Sequence, residues 1–371
     1  LYKMIWILML LFLLYAILIF SLAFGFISLK EFASTKKNNI TFSVIIPFRD
    51  EAKNLPNLLN SILHLNDTFN TEFIFVNDDS KDESVALIKD FSNETSLNIK
   101  VLQNKRISNS PKKDAISTAI DIAKNDWIIT TDADCLLPNN WLQTISNFIA
   151  EKEPKMVVAP VNYKSKNTFL EQFQLLDFLS LQGTTMGSFG MRFPFLCNGA
   201  NLAYKKDVFL NLNGFSGNEN IASGDDIFLF EKFLQNDKKS VQFLKSKEAT
   251  VTTFPVKSWK ELVHQRTRWA AKTGNIKSIK TKLIGLLILL INISVLYVLF
   301  TQPIEFCYLP LLFKIVIDLL LFVPTVHFFK HTKTFYKWVF LCSVFYPFFS
   351  TFIVFRTVFS NYNWKGRVFK K

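Results

Sequence analysis

The chain has 371 residues, 49% of them hydrophobic and 40 of them Phe, which is more apolar material than a single soluble core needs and fits a membrane component. Its 43 Lys and Arg against 30 Asp and Glu give a net charge of +13, yet the basic residues gather beside apolar segments, which sets nucleic acid aside as a partner and points to membrane topology. Cys135, Cys197, Cys307 and Cys342 show neither paired zinc spacing nor a disulfide framework, so they read as reduced thiols.

In chain order, Met4 to Leu29 is an uncharged apolar run, longer than the about 20 residues that cross a bilayer core. It exceeds a typical signal core and has no small-residue cleavage site before Lys30. A polar linker, 35–41, leads to the buried strand Phe42–Pro47, a turn, and a helix carrying Leu55, Leu58, Leu59, Ile62 and Leu63 at helical spacing. Strand Glu72–Val76 ends in N-D-D-S-K-D (Asn77–Asp82), followed by helix Glu83–Ser92 and strand Lys100–Gln103. Lys112 and Lys113 stand before helix Ala115–Lys124 and offer cations to a diphosphate near a helix N-terminus.

The stretch Trp127–Trp141 organises the rest. Its β-branched run ends in Asp132 and Asp134, separated by one Ala, and two acids so placed can share a hard cation such as Mg²⁺ or Mn²⁺. Alternation of strand and helix implies an α/β fold with a mostly parallel sheet and helices on both faces, whose ligand crevice lies at the strand carboxyl ends. Asp78 and Asp79 then meet Asp132 and Asp134 at one edge, where their mutual repulsion calls for a metal and for ligand donor groups. No G-x-G-x-x-G or Walker A stretch is present, which argues against a dinucleotide enzyme or P-loop ATPase.

Beyond these lie a Phe- and Leu-rich segment, Phe169–Phe195, and Asp226 at the head of a helix, where an N-cap is its plainest role. A basic, Trp-bearing interfacial segment, 256–282, follows. The apolar segments Leu283–Phe300, Ile304–Phe329 and Phe335–Phe359 close the chain, the second holding Lys314 and Asp318 one helical turn apart. Lys and Arg flank these segments except in 301–305, which places the central domain in the cytoplasm by the positive-inside rule. Three full spans would leave Lys365, Arg367, Lys370 and Lys371 outside, so Pro347 is expected to let the last segment re-enter or bend along the interface and keep the tail cytoplasmic.

The succession P-F-R-D-E (Pro47–Glu51), V-N-D-D-S-K-D (Val76–Asp82), T-D-A-D-C (Thr131–Cys135), N-G-A-N-L-A-Y (Asn198–Tyr204), S-G-D-D (Ser223–Asp226), Q-R-T-R-W (Gln265–Trp269) and W-K-G-R (Trp364–Arg367) resembles the membrane-bound family 2 glycosyltransferases of GT-A fold. The resemblance implies a GT-A, Rossmann-like domain over 35–255 between a transmembrane helix (1–34), the interfacial segment (256–282) and a C-terminal membrane region (283–371). It implies that Pro47, Arg49, Glu51 and Asp78 line a nucleoside pocket, and that Asp132 and Asp134 hold Mg²⁺ or Mn²⁺ on the donor diphosphate. It makes Asp226 the catalytic base, with Asp225 beside it where many members carry Glu. Lys113 or Arg268 would supply positive charge to the diphosphate, and Gln265, Arg268 and Trp269 would close over the donor and the acceptor.

Departures from the family pattern are Asn77 and Asp79, where D-D-G is commoner, and K-K-D-A at Lys112–Ala115, where a Gly-Lys pair is usual. The expected activity is inverting, metal-dependent transfer from a UDP- or GDP-sugar to a lipid or lipid-linked acceptor, by a multi-pass protein of a bacterial inner membrane with its catalytic domain in the cytoplasm. A processive polysaccharide synthase and a non-catalytic scaffold with a nucleotide-sugar fold are the alternatives.

Overall fold

The computed structural model describes residues 2–34, 36–68, 70–219, 221, 223–359, 362–364 and 367–369. Contacts divide the chain into two units, one of Lys30–Lys164 with Cys197–Phe254, the other of Leu1–Leu29, Ser165–Leu196 and Pro255–Lys371.

The first of these is α/β. Its elements run β1 (Phe42–Phe48), α2 (Leu55–Leu63), β2 (Glu72–Asn77), α3 (Ser84–Glu94), β3 (Asn98–Gln103), α4 (Pro111–Ile120), β4 (Trp127–Thr130), α5 (Trp141–Lys152), β5 (Met156–Val158) and β6 (Val161–Tyr163). After the excursion into the other unit come β7 (Leu202–Lys205), α7 (Lys206–Asn211), α8 (Ile227–Asn236), β8 (Val241–Phe243) and β9 (Val251–Thr253). Seven strands form one sheet in the order β3-β2-β1-β4-β7-β5-β8, in which β7 alone runs against its neighbours, while β6 pairs with β9 in a second sheet.

Strands β1, β2 and β4 are apolar almost throughout because helices cover both faces of a parallel sheet, and Val44, Ile45, Ile46, Phe73, Ile74, Phe75 and Val76 are all fully buried. Each such side chain stabilises the fold by roughly 1.5–3 kcal/mol. β1 sits at the point where chain order reverses, with β2 and β3 to one side and β4 to the other, and its carboxyl end is the place where open α/β sheets hold ligands.

The other unit contains α1 (Tyr2–Ser28), α6 (Phe169–Gly190), α9 (Trp259–Thr273), α10 (Ile279–Thr301), the short α11 (Ile304–Cys307), α12 (Leu309–Phe328) and α13 (Thr332–Phe359). Four stretches, Ile5–Ser28, Ile279–Thr301, Ile304–Phe328 and Thr332–Phe359, are long and apolar enough to cross a membrane. α13 runs as one helix through Pro347; tolerance of Pro is ordinary where neighbouring helices and hydroxyls satisfy the freed backbone. The closing strands β10 (Tyr362–Trp364) and β11 (Arg367–Phe369) pair antiparallel with Trp364 opposite Arg367, and β10 packs beside α9. Lys365, Gly366, Lys370 and Lys371 lie outside the described residues.

The segment Ser165–Leu196 groups with the apolar helices although sheet strands flank it in sequence. Its helix α6 meets α1 backbone to backbone: a Cβ on Gly187 would lie 2.3 Å from the Leu22 carbonyl oxygen, and one on Gly190 would lie 1.8 Å from that of Gly25. Small residues permitting such approach are the usual means by which apolar helices associate without a hydrophobic driving force.

One buried charge holds the start of β2. Glu72 accepts from the Ser43 hydroxyl (2.5 Å), the Lys124 backbone N–H (2.6 Å) and the Lys100 ammonium (2.6 Å). Burial by itself would raise its pKa, but Lys100, the Lys124 N–H and Ser43 together hold the carboxyl below its ordinary 4.5. The stabilisation is therefore present above the unfolded value and lost as pH falls through the lower folded one. Glu72→Gln is expected to cost about 1–3 kcal/mol at neutral pH and progressively less in acid. Denaturant unfolding of the detergent-solubilised chain at several pH values checks this; a penalty independent of pH would contradict it.

Candidate active site

The register of the sheet brings the acids together. Phe48 pairs with Asn77 and Ile45 with Thr130, so Asp78, one residue past β2, and Asp132, two past β4, rise on either side of the end of β1. On one side, Asp78 is buried and its Oδ1 accepts from the Asn104 amide at 2.8 Å. Arg49, from the P-F-R-D-E turn, donates to the Asp78 carbonyl at 2.8 Å, and Arg106 stands 3.6 Å from Asp78 Oδ1. Asp114, in the first turn of α4, fixes Arg106 by accepting from its Nε (3.2 Å) and from the backbone N–H groups of Ile107 (3.2 Å) and Ser108 (3.0 Å). Glu51 accepts from the Asn54 amide at 2.6 Å and shapes the entry to α2, while Pro47 is half-buried at the end of β1. Asp79 pairs with the exposed Lys81 at 2.9 Å.

On the other side, residues 131–137 alternate strictly between buried and half-buried, with Asp132, Asp134 and Leu136 on the open side and Thr131, Ala133, Cys135 and Leu137 inside. A two-way backbone bridge between Leu136 and Thr252, at 2.7 and 3.0 Å, pins the end of this stretch to β9. Burial and the neighbouring carboxylates of Asp134 and Asp132 push the Cys135 thiol well above its usual pKa, so it is a packing residue.

Lys112 supplies the central cation. Its ammonium lies 2.7 Å from Asp132 Oδ1 and 3.1 Å from Asp225 Oδ2, joining the D-x-D strand end to the S-G-D-D loop. Burial by itself would lower its pKa, but Asp132, Asp225 and Asp226 hold it well above the ordinary lysine value, so it stays charged. Asp225 also contributes, after burial, to raising the Tyr204 phenol.

Lys113, expected at the diphosphate, makes contacts within the protein in this structure. α4 starts at Pro111, earlier than its apolar pattern suggests, so both lysines lie in its first turn about 100° apart and only one can face the acids. Lys113 turns inward, donates to the carbonyls of Asn218 (2.7 Å) and Ile221 (2.9 Å), and lies 5.0 Å from the Phe228 ring centre. It anchors the loop that delivers Asp225 and Asp226.

Two glycines set that delivery. Gly224 has φ +86°, and a Cβ there would strike the Phe228 ring at 2.6 Å. Gly199, in the N-G-A-N motif, lies directly against the acids: its Cβ would stand 3.1 Å from Asp226 Cβ and 3.2 Å from Asp225 Oδ2. Asp226 caps α8, accepting from the N–H of Ile227 at 2.7 Å. The following motif residue, Asn201, is buried and fully used, accepting from Trp141 Nε1 (3.0 Å) and donating to the carbonyls of Pro160 and Ala249 (both 2.8 Å).

Gln265, Arg268 and Trp269 lie on α9, in the other unit, where Gln265 and Trp269 flank Arg266, a residue not singled out by the motif. Arg266 bonds Gln265 Oε1 and Asp177 of α6, each at 2.5 Å, and stacks 4.1 Å from the Trp269 ring centre.

A family model described as glycosyl transferase family 2 matches residues 43–210, and a second, glycosyl transferase family group 2, matches residues 127–354, more than half the chain. The chain is a family 2 glycosyltransferase. No curated protein matches its sequence. Among solved structures, this glycosyltransferase is similar to the mannosyltransferase PcManGT of Pyrobaculum calidifontis, solved with GDP-Man and Mn²⁺, at 14% identity and TM-score 0.57 over 92% of this chain and 97% of that one. It also matches S. aureus TarS at 14% identity and TM-score 0.43, over 83% of this chain and only 55% of that one. The TarS 1–349 structure with UDP-GlcNAc matches at 14% identity and TM-score 0.44, over 89% and 96% of the two chains. The PcManGT likeness and the seven-stranded sheet are those of the GT-A fold.

Among the described residues no group of three or more His, Cys, Asp or Glu gathers as a metal site. Asp132 and Asp134, two hard oxygen donors on one open side, nevertheless fit an ion such as Mg²⁺ or Mn²⁺, which takes few protein ligands and completes its shell with water and phosphate oxygens. Lys112→Met is expected to lower turnover of the glycosyltransferase by about 10²-fold or more, the loss typical of a charge-stabilising group. Lys113→Met should instead lower the melting temperature. Steady-state kinetics with thermal unfolding on both variants checks the pair; equal catalytic loss at unchanged stability in both would refute this division. Gly199→Ala should reduce kcat more than it changes donor KM, because the added methyl displaces Asp226.

Proposed function

We propose that the enzyme moves a sugar, with inversion at the anomeric carbon, from a nucleotide-sugar to a lipid or lipid-linked acceptor at the cytoplasmic face of a bacterial inner membrane. The observation carrying this reading is the Lys112 ammonium in contact with both Asp132 and Asp225, which puts the acids of the D-x-D strand end and of the S-G-D-D loop within one side chain's reach. The complexes of PcManGT with GDP-Man and of TarS with UDP-GlcNAc agree with a nucleotide-sugar donor.

In this reading the base and ribose lie by Asp78, Arg49, Glu51 and Pro47, where Asn104 and Arg106 hold Asp78 ready to accept. Asp226 takes the proton from the acceptor hydroxyl as that oxygen attacks the face opposite the leaving diphosphate. Asp225 keeps Lys112 beside it, and Lys112 meets the negative charge that gathers on the diphosphate. Asp132 and Asp134 would hold Mg²⁺ or Mn²⁺, which supplies further charge neutralisation at the same oxygens. By the resemblance, Gln265 and Arg268 would bind the donor and Trp269 the acceptor. The four apolar helices and the basic residues beside them support a membrane-borne acceptor and a cytoplasmic catalytic domain.

Asp226→Asn should lower transfer by about 10²–10⁴-fold, the usual worth of a general base, while nucleoside diphosphate binding measured by calorimetry persists. Asp134→Asn should weaken that binding and its dependence on Mn²⁺, and EDTA should do the same to the native enzyme. Near-normal turnover of Asp226→Asn, or equal loss of binding in both variants, would overturn the assignment.

A further inference from the structure

The membrane-type unit holds a half-open cavity of about 100 Å³ between α1, α6, α10, α12 and α13, room for roughly three waters at about 30 Å³ each or for a small polar head. Its walls are mainly apolar, including Ile19, Leu176, Ile288 and Phe322, but Asp177, Asp318, Lys314, Tyr15 and Tyr346 face it as well. Tyr15, Ile288, Lys314, Asp318 and Tyr346 all fall near the middle of the four membrane-length stretches, so the cavity belongs to mid-helix depth.

The charges around it balance. Lys314 lies 2.5 Å from Asp318 Oδ2, with its ammonium 5.7 Å from the Tyr15 ring centre and 5.4 Å from that of Tyr346, and the Tyr15 hydroxyl donates to Asp318 Oδ1. Asp177 is matched by Arg266. Two acids and two bases leave no net charge for an ionic ligand, and an unpaired phosphate at this depth would carry a heavy desolvation cost. A neutral hydroxyl carries no such cost. It can donate to a carboxylate, which offers about four acceptor sites; the bonds from Tyr15 and Lys314 occupy two of those on Asp318. The apolar walls suit the chain on which such a hydroxyl would arrive.

We infer that this cavity binds the head of an uncharged, hydroxyl-bearing lipid of the diacylglycerol class, with Asp318 accepting from its hydroxyl. The test of this site uses no transfer. The purified full chain in phosphatidylcholine vesicles is photolabelled with a diazirine-bearing diacylglycerol, and the labelled peptides are mapped by mass spectrometry. Labelling is expected on peptides holding Leu176, Phe322 and Tyr346. Unlabelled dioleoylglycerol should compete and dioleoyl phosphatidate, with the same acyl chains and a phosphate, should not. Asp318→Asn should weaken labelling by about tenfold, as for loss of one charge-assisted hydrogen bond. Because that change also touches a buried ion pair, Ser343→Leu provides a second arm: Ser343 lines the cavity, and a Leu there fills it while both ion pairs remain. Labelling absent from these peptides, unchanged in Ser343→Leu, or displaced equally by phosphatidate would overturn the inference.

Discussion

The arrangement of the catalytic unit depends on one ammonium. The ends of β4 and the head of α8 carry Asp132, Asp134, Asp225 and Asp226 toward a shared space, and carboxylates so gathered repel unless positive charge stands among them. Lys112 provides that charge at 2.7 and 3.1 Å, and the same acids keep it protonated. In the proposed reading, a metal ion arriving with the diphosphate would join this charge balance and couple donor binding to the position of Asp225.

The protein holds that ammonium and its acids with parts that do no chemistry. Gly224 makes the turn, Gly199 leaves the space that Asp226 occupies, and Lys113 ties the preceding loop to α4 through two carbonyls. At the other corner Asp114 plays the corresponding part, holding 106–108 so that Arg106 can face Asp78. The departure of K-K-D-A from the usual Gly-Lys pair acquires a physical sense: Lys112 reaches the acids, Lys113 builds the loop and Asp114 organises the Asp78 side.

The membrane-type unit is built on a different principle. Its helices gain little from hiding apolar surface from lipid, so contact is made by close backbones at Gly25, Gly187 and Gly190 and by polar pairs such as Lys314–Asp318 and Arg266–Asp177. The second pair is notable for its origin. Asp177 lies in a segment that interrupts the α/β unit in sequence, and Arg266 lies inside the Q-R-T-R-W stretch, which thereby fastens α9 to α6.

Much of this was legible in the chain itself. Continuous apolar strands ending in acids, helices at 3.6-residue spacing and basic residues beside long apolar runs specify local structure through backbone periodicity and solvent preference, which act over a few residues, and the ordered motifs added the family and its GT-A fold. What the chain alone left open depends on direction in space. Which of two adjacent lysines faces the acids turns on where α4 begins, and that is set by Pro111 and the tertiary packing of its first turn rather than by any apolar pattern. The membership of Ser165–Leu196 with the apolar helices, the continuity of α13 through Pro347, and the placing of Gly199 beneath Asp226 likewise come from contacts between residues far apart in sequence. Periodicity names the buried face of an element; only packing decides what that face meets.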